Sequence, residues 1–467
     1  MSSLSLTGSL PRAATGSRLR PNGLPAGRLT AFSALAVPIG AAQIPLGVYL
    51  PALLTQNFGI ALSTLGLIFL AEKIWGAFAD PLIGALSDRY DGRFGRRRTW
   101  IGAGGLLFAA AIILLFFPPI AVTPAYLAVV LFAFYLAWSM LQIPYLAWSA
   151  EISGDYDERT RVATYQTVAS SLAVLLILIL PTIIDQVSPR NGMLKLGALG
   201  GFLLAALAIS LPLTLRAFGE PTVRRPGTPP RLGAALRILW CDRLLMRVLA
   251  SDFAVVLGQS IRGALFVFFV SSYMGLPRWA SGLFLAQFIF GVAAGPIWMR
   301  VGRRFGKHRA AVAAELTQVA INLGLLFVHP GALPLLLGLT VAQGLAQGSG
   351  NLMLRAMVAD VADQDRLRSG EDRTALFFSV FSISAKAAMA AAVGVALPLV
   401  SWLGFDPRAA VNTPEALRGL LLVFALGPAL AHLVSAALVR GFPLDARAHA
   451  EIRLRLAERD AGLTPAE

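Results

Sequence analysis

The sequence predicts an all-α membrane protein of twelve transmembrane helices in two six-helix bundles, and three observations predict it. The first is composition. Of 467 residues, 56% are hydrophobic and only 14% charged, and mean hydropathy is +0.69, where a water-soluble chain would carry roughly a quarter charged residues. The second is the number of apolar runs near the ~20 residues needed to cross a bilayer core; they lie at 29–53, 62–87, 99–118, 123–151, 162–186, 194–215, 247–274, 279–300, 309–328, 331–357, 374–403 and 417–440. The third is a weak internal repeat. Gly92-Arg93-Phe94-Gly95-Arg96-Arg97-Arg98 after the second run is echoed by Gly302-Arg303-Arg304-Phe305-Gly306-Lys307-His308-Arg309 after the eighth. Asp157-Glu158-Arg159-Thr160 after the fourth is echoed by Glu371-Asp372-Arg373-Thr374 after the tenth. Two loop types recurring at equivalent places mean a duplicated six-helix unit.

Along the chain, residues 1–28 set Arg12, Arg18, Arg20 and Arg28 among Gly, Pro and Ser with no apolar stretch before them; they read as a flexible basic tail and not as a cleavable signal. The first span contains no acid and one amide, Gln43. The second holds Glu72, Lys73 and Asp80, and charge at bilayer depth costs about 2.5–3.5 kcal/mol per residue, so it serves a pathway, a relay or a pair. Positions 72, 76 and 80 follow at i, i+4 and i+8, which puts both carboxylates on one side of the helix with Gly76 between them. Phe117-Pro118-Pro119 ends the third span. The fourth carries Tyr135, Trp138, Gln142 and Tyr145, and the fifth Gln166. Residues 216–246, with Arg224-Arg225-Pro226 and Pro229-Pro230-Arg231, form the widest break and divide the chain into bundles at 29–215 and 247–440. The seventh span has Gln259 and Arg262, the tenth Gln343, Gln347 and Asn351, the eleventh Lys386. Residues 441–467 form a second tail.

Basic residues set the orientation. The two tails and the even-numbered loops, with their flanks, hold 32 of the 40 Arg and Lys, the odd-numbered loops only Arg190, Lys195, Arg278, Arg408 and Arg418. Both termini are therefore expected in the cytoplasm of a multi-pass plasma-membrane protein. The net charge of +15 then faces an anionic leaflet and implies no nucleic acid. Cys241 is the only cysteine, which excludes an internal disulfide, and His308, His329, His432 and His449 show no ligand spacing, so no metal is expected.

Gly84-Ala85-Leu86-Ser87-Asp88-Arg89 followed by Gly92-Arg93 resembles the loop motif of the major facilitator superfamily. Asp80-Pro81-Leu82-Ile83-Gly84, the Gly-Arg-Phe-Gly-Arg-Arg-Arg loop, Ile143-Pro144-Tyr145, the Asp-Glu-Arg-Thr-Arg run at 157–161 and Lys386 resemble, more narrowly, the glycoside–pentoside–hexuronide:cation symporters, the melibiose-permease group. The resemblance implies secondary active symport of a small polar solute, such as a sugar, glycoside or uronide, by alternating access of two halves. It departs from the family pattern at Gly76 and Gln142, where melibiose-type members carry aspartates, and in the acid-free first span.

Expectations for the site follow. Glu72, Asp80, Lys73 and Lys386 are the candidates for cation coupling, to protons more than to sodium because the sodium carboxylates are depleted. Only 4 basic residues are lysine, at 73, 195, 307 and 386, and two of these lie mid-membrane, where a titratable cation differs from a permanent arginine. Arg262 is the candidate for an anionic solute group or, alternatively, for pairing with Glu72 or Asp80. Gln142, Tyr145, Trp138, Gln166, Gln259 and Gln347 are further solute-binding candidates. Asp88, Arg89, Arg93, Arg97, Asp157, Arg159 and Arg373 are candidates for ion pairs that switch between states. No Gly-x-x-x-x-Gly-Lys-Ser/Thr run is present, so energy is expected from an ion gradient, with no organic cofactor and no enzymatic activity. A monomer in contact with lipid is expected. Export or flipping of an amphipathic compound, and a non-transporting receptor or assembly factor on the same fold, are the alternatives.

Overall fold

A computed structural model describes residues 23–90, 94–119, 122–153, 155–189, 191–219, 242–409 and 411–460. The tail before residue 23, Arg93 and the central loop at 220–241 lie outside the described residues. The first half comprises α1 (Ala26–Phe58), α2 (Leu62–Arg89), α3 (Arg96–Phe116), α4 (Pro124–Glu151), α5 (Tyr156–Val187) and α6 (Gly192–Ala217). The second comprises α7 (Arg243–Tyr273), α8 (Ala280–Phe305), α9 (Lys307–Phe327), α10 (Leu333–Ser369), α11 (Thr374–Trp402) and α12 (Pro414–Val439). A shorter helix, α13 (Ala446–Asp460), follows. Eleven helices among the described residues are long and apolar enough to cross a membrane. The twelfth, α10, is the longest, and Gln343 and Gln347 dilute its apolar run.

Local chemistry explains where the helices begin and end. Side-chain oxygens of Thr123, Asp155, Asn191, Asp242 and Thr413 accept from the first free N–H groups of α4, α5, α6, α7 and α12. Gly59 (φ 70°) and Gly370 (φ 80°) close α1 and α10 in the left-handed region. The repeated loop motif has a backbone reason: Gly95 (φ 99°) before α3 and Gly306 (φ 88°) before α9 turn the chain in the same way. Pro45 leaves a carbonyl without its helical donor, and α1 opens there into a π-turn, Pro45–Tyr49.

Packing repeats as the sequence does. In the first half α1 packs on α5 and α6, α2 on α4, and α3 on α4 and α6; in the second α7 packs on α11 and α12, α8 on α10, and α9 on α10 and α12. The halves meet along α2–α11 and α5–α8, and where the π-turn of α1 touches α7. Glycines make the first seam close: a Cβ on Gly66 would lie 2.7 Å from Pro398, and one on Gly394 3.0 Å from Leu70.

The start of α1 and the helix α13 lie at one end of the bundle, hereafter the basic end. The halves are fastened at the opposite end. There Asp185 Oδ2 on α5 accepts from the backbone N–H of Ser281 on α8 (3.2 Å), Gln186 donates to the Arg278 carbonyl (3.1 Å), and Arg408 donates to the Gly59 carbonyl (3.0 Å). Toward the basic end the α2 face loosens. A Cβ on Gly76 would meet nothing within 4 Å, and Phe78, Leu82 and Leu86 are exposed.

Candidate functional site

The charges of α2 are organised by α4. Lys73 Nζ lies 2.7 Å from the Tyr135 hydroxyl, 3.9 Å from the centre of the same ring, and 3.3 Å from Glu72 Oε2. Glu72 is buried, 1% exposed, and its Oε2 has no hydrogen-bond partner beyond that ion contact. One turn further along α4, Ser139 donates to Asp80 Oδ1 (2.6 Å). The other oxygen of Asp80 pairs with Lys386 of α11. Tyr135 and Ser139, at i and i+4, therefore present one ladder to Glu72-Lys73 and Asp80. Pro81 follows Asp80 inside the helix and frees a backbone carbonyl beside the charged pair.

The geometry separates the two pairs expected from the sequence. Glu72–Lys73 is internal to α2 and tucked against α4, whereas Asp80–Lys386 crosses between the halves. The Asp80 side chain is 17% exposed and that of Lys386 39%, so this second pair is the one that reaches the space between the bundles.

Several solute-binding candidates stand elsewhere. Arg262 neither faces the α2 charges nor pairs with Glu72 or Asp80. It is 3% exposed, donates from Nη1 to Asn322 of α9 (2.8 Å) and lies 5.0 Å over the Phe424 ring of α12. Its Nε and Nη2 have no partner. The reason is rotational: α7 packs on α12, and Arg262 is on that side. Tyr145 is likewise interior, 2% exposed, stacked 5.0 Å from Phe32 and bonded to the Phe32 carbonyl (3.1 Å). Gln166 is half-buried, and its Nε2 has no hydrogen-bond partner. Arg262 and Tyr145 each hold their own bundle together. Trp138 is half-buried beside Tyr135 and donates to the Ile39 carbonyl (3.2 Å). Gln142 and Gln259 are half-buried, and Gln347 accepts from Gln287 across α8–α10 (2.8 Å).

The switch candidates at the basic end form compact knots. Arg97, 4% exposed, bonds Asp88 (2.6 Å), Glu151 (2.8 Å) and the Ser87 hydroxyl (3.0 Å), and Arg96 also reaches Glu151 (2.8 Å). The second half places Lys307 against Asp360 (2.7 Å) in the corresponding position, with His449 of α13 beside Asp360 and Asp363. Arg373 reaches Glu371 (2.8 Å) and Asp365 (3.7 Å). Arg97, Lys307 and Arg373 thus find carboxylates within their own halves. Arg89 and Asp157 are exposed, and Arg159 donates to the Ser153 carbonyl (2.7 Å).

Sequence reasoning missed Ser139 as the partner of Asp80, and it missed Asp185, which is fully buried and paired with Lys195 while accepting from α8. The signal for Asp185 was an acid near the end of an apolar run.

The two pseudo-symmetric bundles with charges on α2 and α11 match known proteins. The family model described as MFS/sugar transport protein matches residues 31–446. The chain belongs to this family. Within the major facilitator superfamily it is a glycoside–pentoside–hexuronide:cation symporter-type transporter, as the sequence motifs implied. It is similar to the uncharacterized symporter YjmB of Bacillus subtilis, 25% identical over 87% of this chain and 89% of that one. It is also similar to a glucuronide carrier protein homolog of Escherichia coli, 23% identical over 87% of this chain and 90% of that one. Among solved structures, the nucleoside transporter NupG superposes with a TM-score of 0.65 at 13% identity, over 88% of this chain and 98% of that one. That likeness concerns the fold, and the twelve-helix, two-bundle architecture expected from the sequence is the one found.

Proposed function

We propose that this transporter couples the inward movement of protons to uptake of a sugar-like solute, with Asp80 as the coupling carboxylate. The observation that carries the reading is the position of Asp80: it accepts from Ser139 in one half and pairs with Lys386 in the other. A proton arriving on Asp80 removes the charge that holds Lys386 and thereby loosens a link between the bundles. Sodium fits this geometry less well. Both carboxylates already face a lysine, so the site offers a cation no net negative charge, and Gly76 and Gln142 provide no further carboxylate.

The solute class is proposed as a glycoside or uronide. Relatives carry names of that kind, such as glucuronide carrier homolog and putative glycoside/cation symporter. Trp138 and Tyr135 offer ring faces to a sugar, and Gln142 and Gln347 offer amides. Lys386, released when Asp80 is protonated, replaces Arg262 as the cation available to a uronide carboxylate. This reading puts both termini on the cytoplasmic side of a plasma membrane and takes the conformation, fastened at the end opposite the basic one, as the inward-facing state of a monomer that uses no metal or organic cofactor.

The test is uptake into proteoliposomes under an imposed proton or sodium gradient against a panel of glycosides, uronides and organic acids. Accumulation driven by the proton gradient and lost in Asp80→Asn is the expected result. Accumulation driven by sodium alone would overturn proton coupling, and efflux without uptake would overturn import.

A further inference from the structure

The second half contains a buried titratable cluster that the α2–α11 pair does not use. Glu315 on α9 and His432 on α12 meet at 2.6 Å between Oε2 and Nδ1, at 2% and 1% exposure. Asp252 on α7, 1% exposed, follows Ser251, which meets Ser435 of α12, three residues beyond His432. The three residues stand at one depth. Asp252 is nine residues into α7, Glu315 eight into α9, and His432 seven from the end of α12, about 11–14 Å from the basic end at 1.5 Å per residue. Asp252 Oδ2 and His432 Nε2 are both without a hydrogen-bond partner. Beside Asp252, Ser251 and Ser435 join their hydroxyls across α7–α12 (2.7 Å) and close that side.

Charge counting decides what such a cluster can hold. Apart from Asp360, which Lys307 neutralises at the basic end, the other buried charge among the described residues of this half is Arg262, bonded to Asn322 on α9. Apart from Asp360, the buried polar side chains of α10 and α8 among the described residues are neutral: Thr340, Gln343, Ser281 and Gln287. From α11, Lys386 is engaged by Asp80. With Arg262 positive, two ionised carboxylates and a neutral imidazole leave one negative charge uncompensated, which an apolar interior resists strongly. One proton restores neutrality. His432 Nδ1 has the Glu315 carboxylate to donate to, so that pair is satisfied with Glu315 ionised. Asp252 has no cation against it, and an unpartnered ionised oxygen costs more than an unpartnered hydroxyl.

We propose that Asp252, supported by the Glu315–His432 pair, is a second proton-binding site, located in the C-terminal half and separate from the solute cleft. It stands whether or not Asp80 is the coupling group. Proton loss from Asp252 would put an unpaired charge between α7, α9 and α12, so occupancy of this site sets how tightly α7 packs. The same helix touches the π-turn of α1 across the halves.

The test is infrared spectroscopy of the full-length protein in lipid nanodiscs near neutral pH, reading the protonated-carboxyl band. A Glu72→Gln/Asp80→Asn double variant removes the α2 acids while leaving this cluster untouched. The expected result is that this variant retains one protonated-carboxyl band that moves in heavy water, that Asp252→Asn abolishes it, and that Asp252→Glu keeps it at a shifted frequency. Absence of any such band from the double variant, or its persistence unchanged in both Asp252 variants, would overturn the assignment. Loss of proton-driven uptake in Asp80→Asn with the band intact would leave the second site standing, so the two readings fail separately.

Discussion

Removing the charge of Asp80, of Lys386, or of both measures how strongly the two bundles are tied at the cleft. The set is Asp80→Asn, Lys386→Met and the double variant, with unfolding free energies from reversible denaturation in mixed micelles. A fully exposed ion pair contributes about 0.2–1 kcal/mol, and breaking a fully buried one by removing a single partner costs about 3–5 kcal/mol. This pair lies between those limits, with Asp80 17% and Lys386 39% exposed. Each single variant strands the opposite charge, and Asp80→Asn also converts the Ser139 contact from a charged to a neutral acceptor. A coupling energy of about 1–2 kcal/mol is therefore expected, a factor of roughly 5–30 in an equilibrium between packed and separated halves. The double variant should be less destabilised than the two singles added together. Singles that add to within about 0.3 kcal/mol of the double would show independent sites, and the proposed link between proton binding and bundle separation would fall.

Tyr135→Phe keeps the ring over Lys73 and removes the hydroxyl at 2.7 Å; loss of a charged hydrogen bond is expected to cost about 1.5–3 kcal/mol in the same denaturation assay, and a cost near zero would show that the ring alone holds the lysine. Gly66→Ala places a Cβ 2.7 Å from Pro398, an overpacking of about 1–3 kcal/mol. Spin labels at Gln56 and Val411, both exposed near the opposite end, should then report a broader and longer distance distribution, and an unchanged one would refute tight closure there. Asp185→Asn removes the charge paired with Lys195 and should lengthen the same distance, because a charged acceptor of the Ser281 N–H is replaced by a neutral one.

Helix number and the division into two like halves were legible because the bilayer demands long apolar runs and because duplication repeats its loop chemistry. Boundaries failed where the apolar run ends before the helix does. The run at 331–357 is the apolar part of Leu333–Ser369; beyond it α10 continues as a polar helix on which α13 packs, Arg459 donating to the Arg366 carbonyl (3.4 Å). Asp157, Glu158 and Arg159 read as loop, yet they form the first turn of α5, where acids suit the helix N-terminus and Asp155 supplies the cap. The charges of α2 and Lys386 could be named from composition alone, since any charge in such a run is conspicuous. Their partners could not, because Ser139 and Tyr135 are ordinary residues of an apolar helix. Depth was readable for Arg262 but rotation was not; the position along a helix follows from counting, and the side it faces depends on its neighbours. His432 and Glu315, 117 residues apart, meet only through the packing of α9 on α12.

The notches at Gly66 and Gly394 give the seam between the halves the character of a bearing. Each glycine on one helix receives a bulky residue of the other, Pro398 into α2 and Leu70 into α11, so the sockets are reciprocal and wholly apolar. Such a surface is held by many dispersion contacts of about 0.1–0.2 kcal/mol each, which lapse and re-form one at a time as the helices roll. Hydrogen bonds at the same place would have to break together. The directional contacts stand apart from these sockets, in the Asp80–Lys386 pair further along the same two helices and at the rim, at Asp185 and Arg408, where they act as catches. Rolling friction and latching strength are thereby carried by different residues, and each can be altered without rebuilding the other.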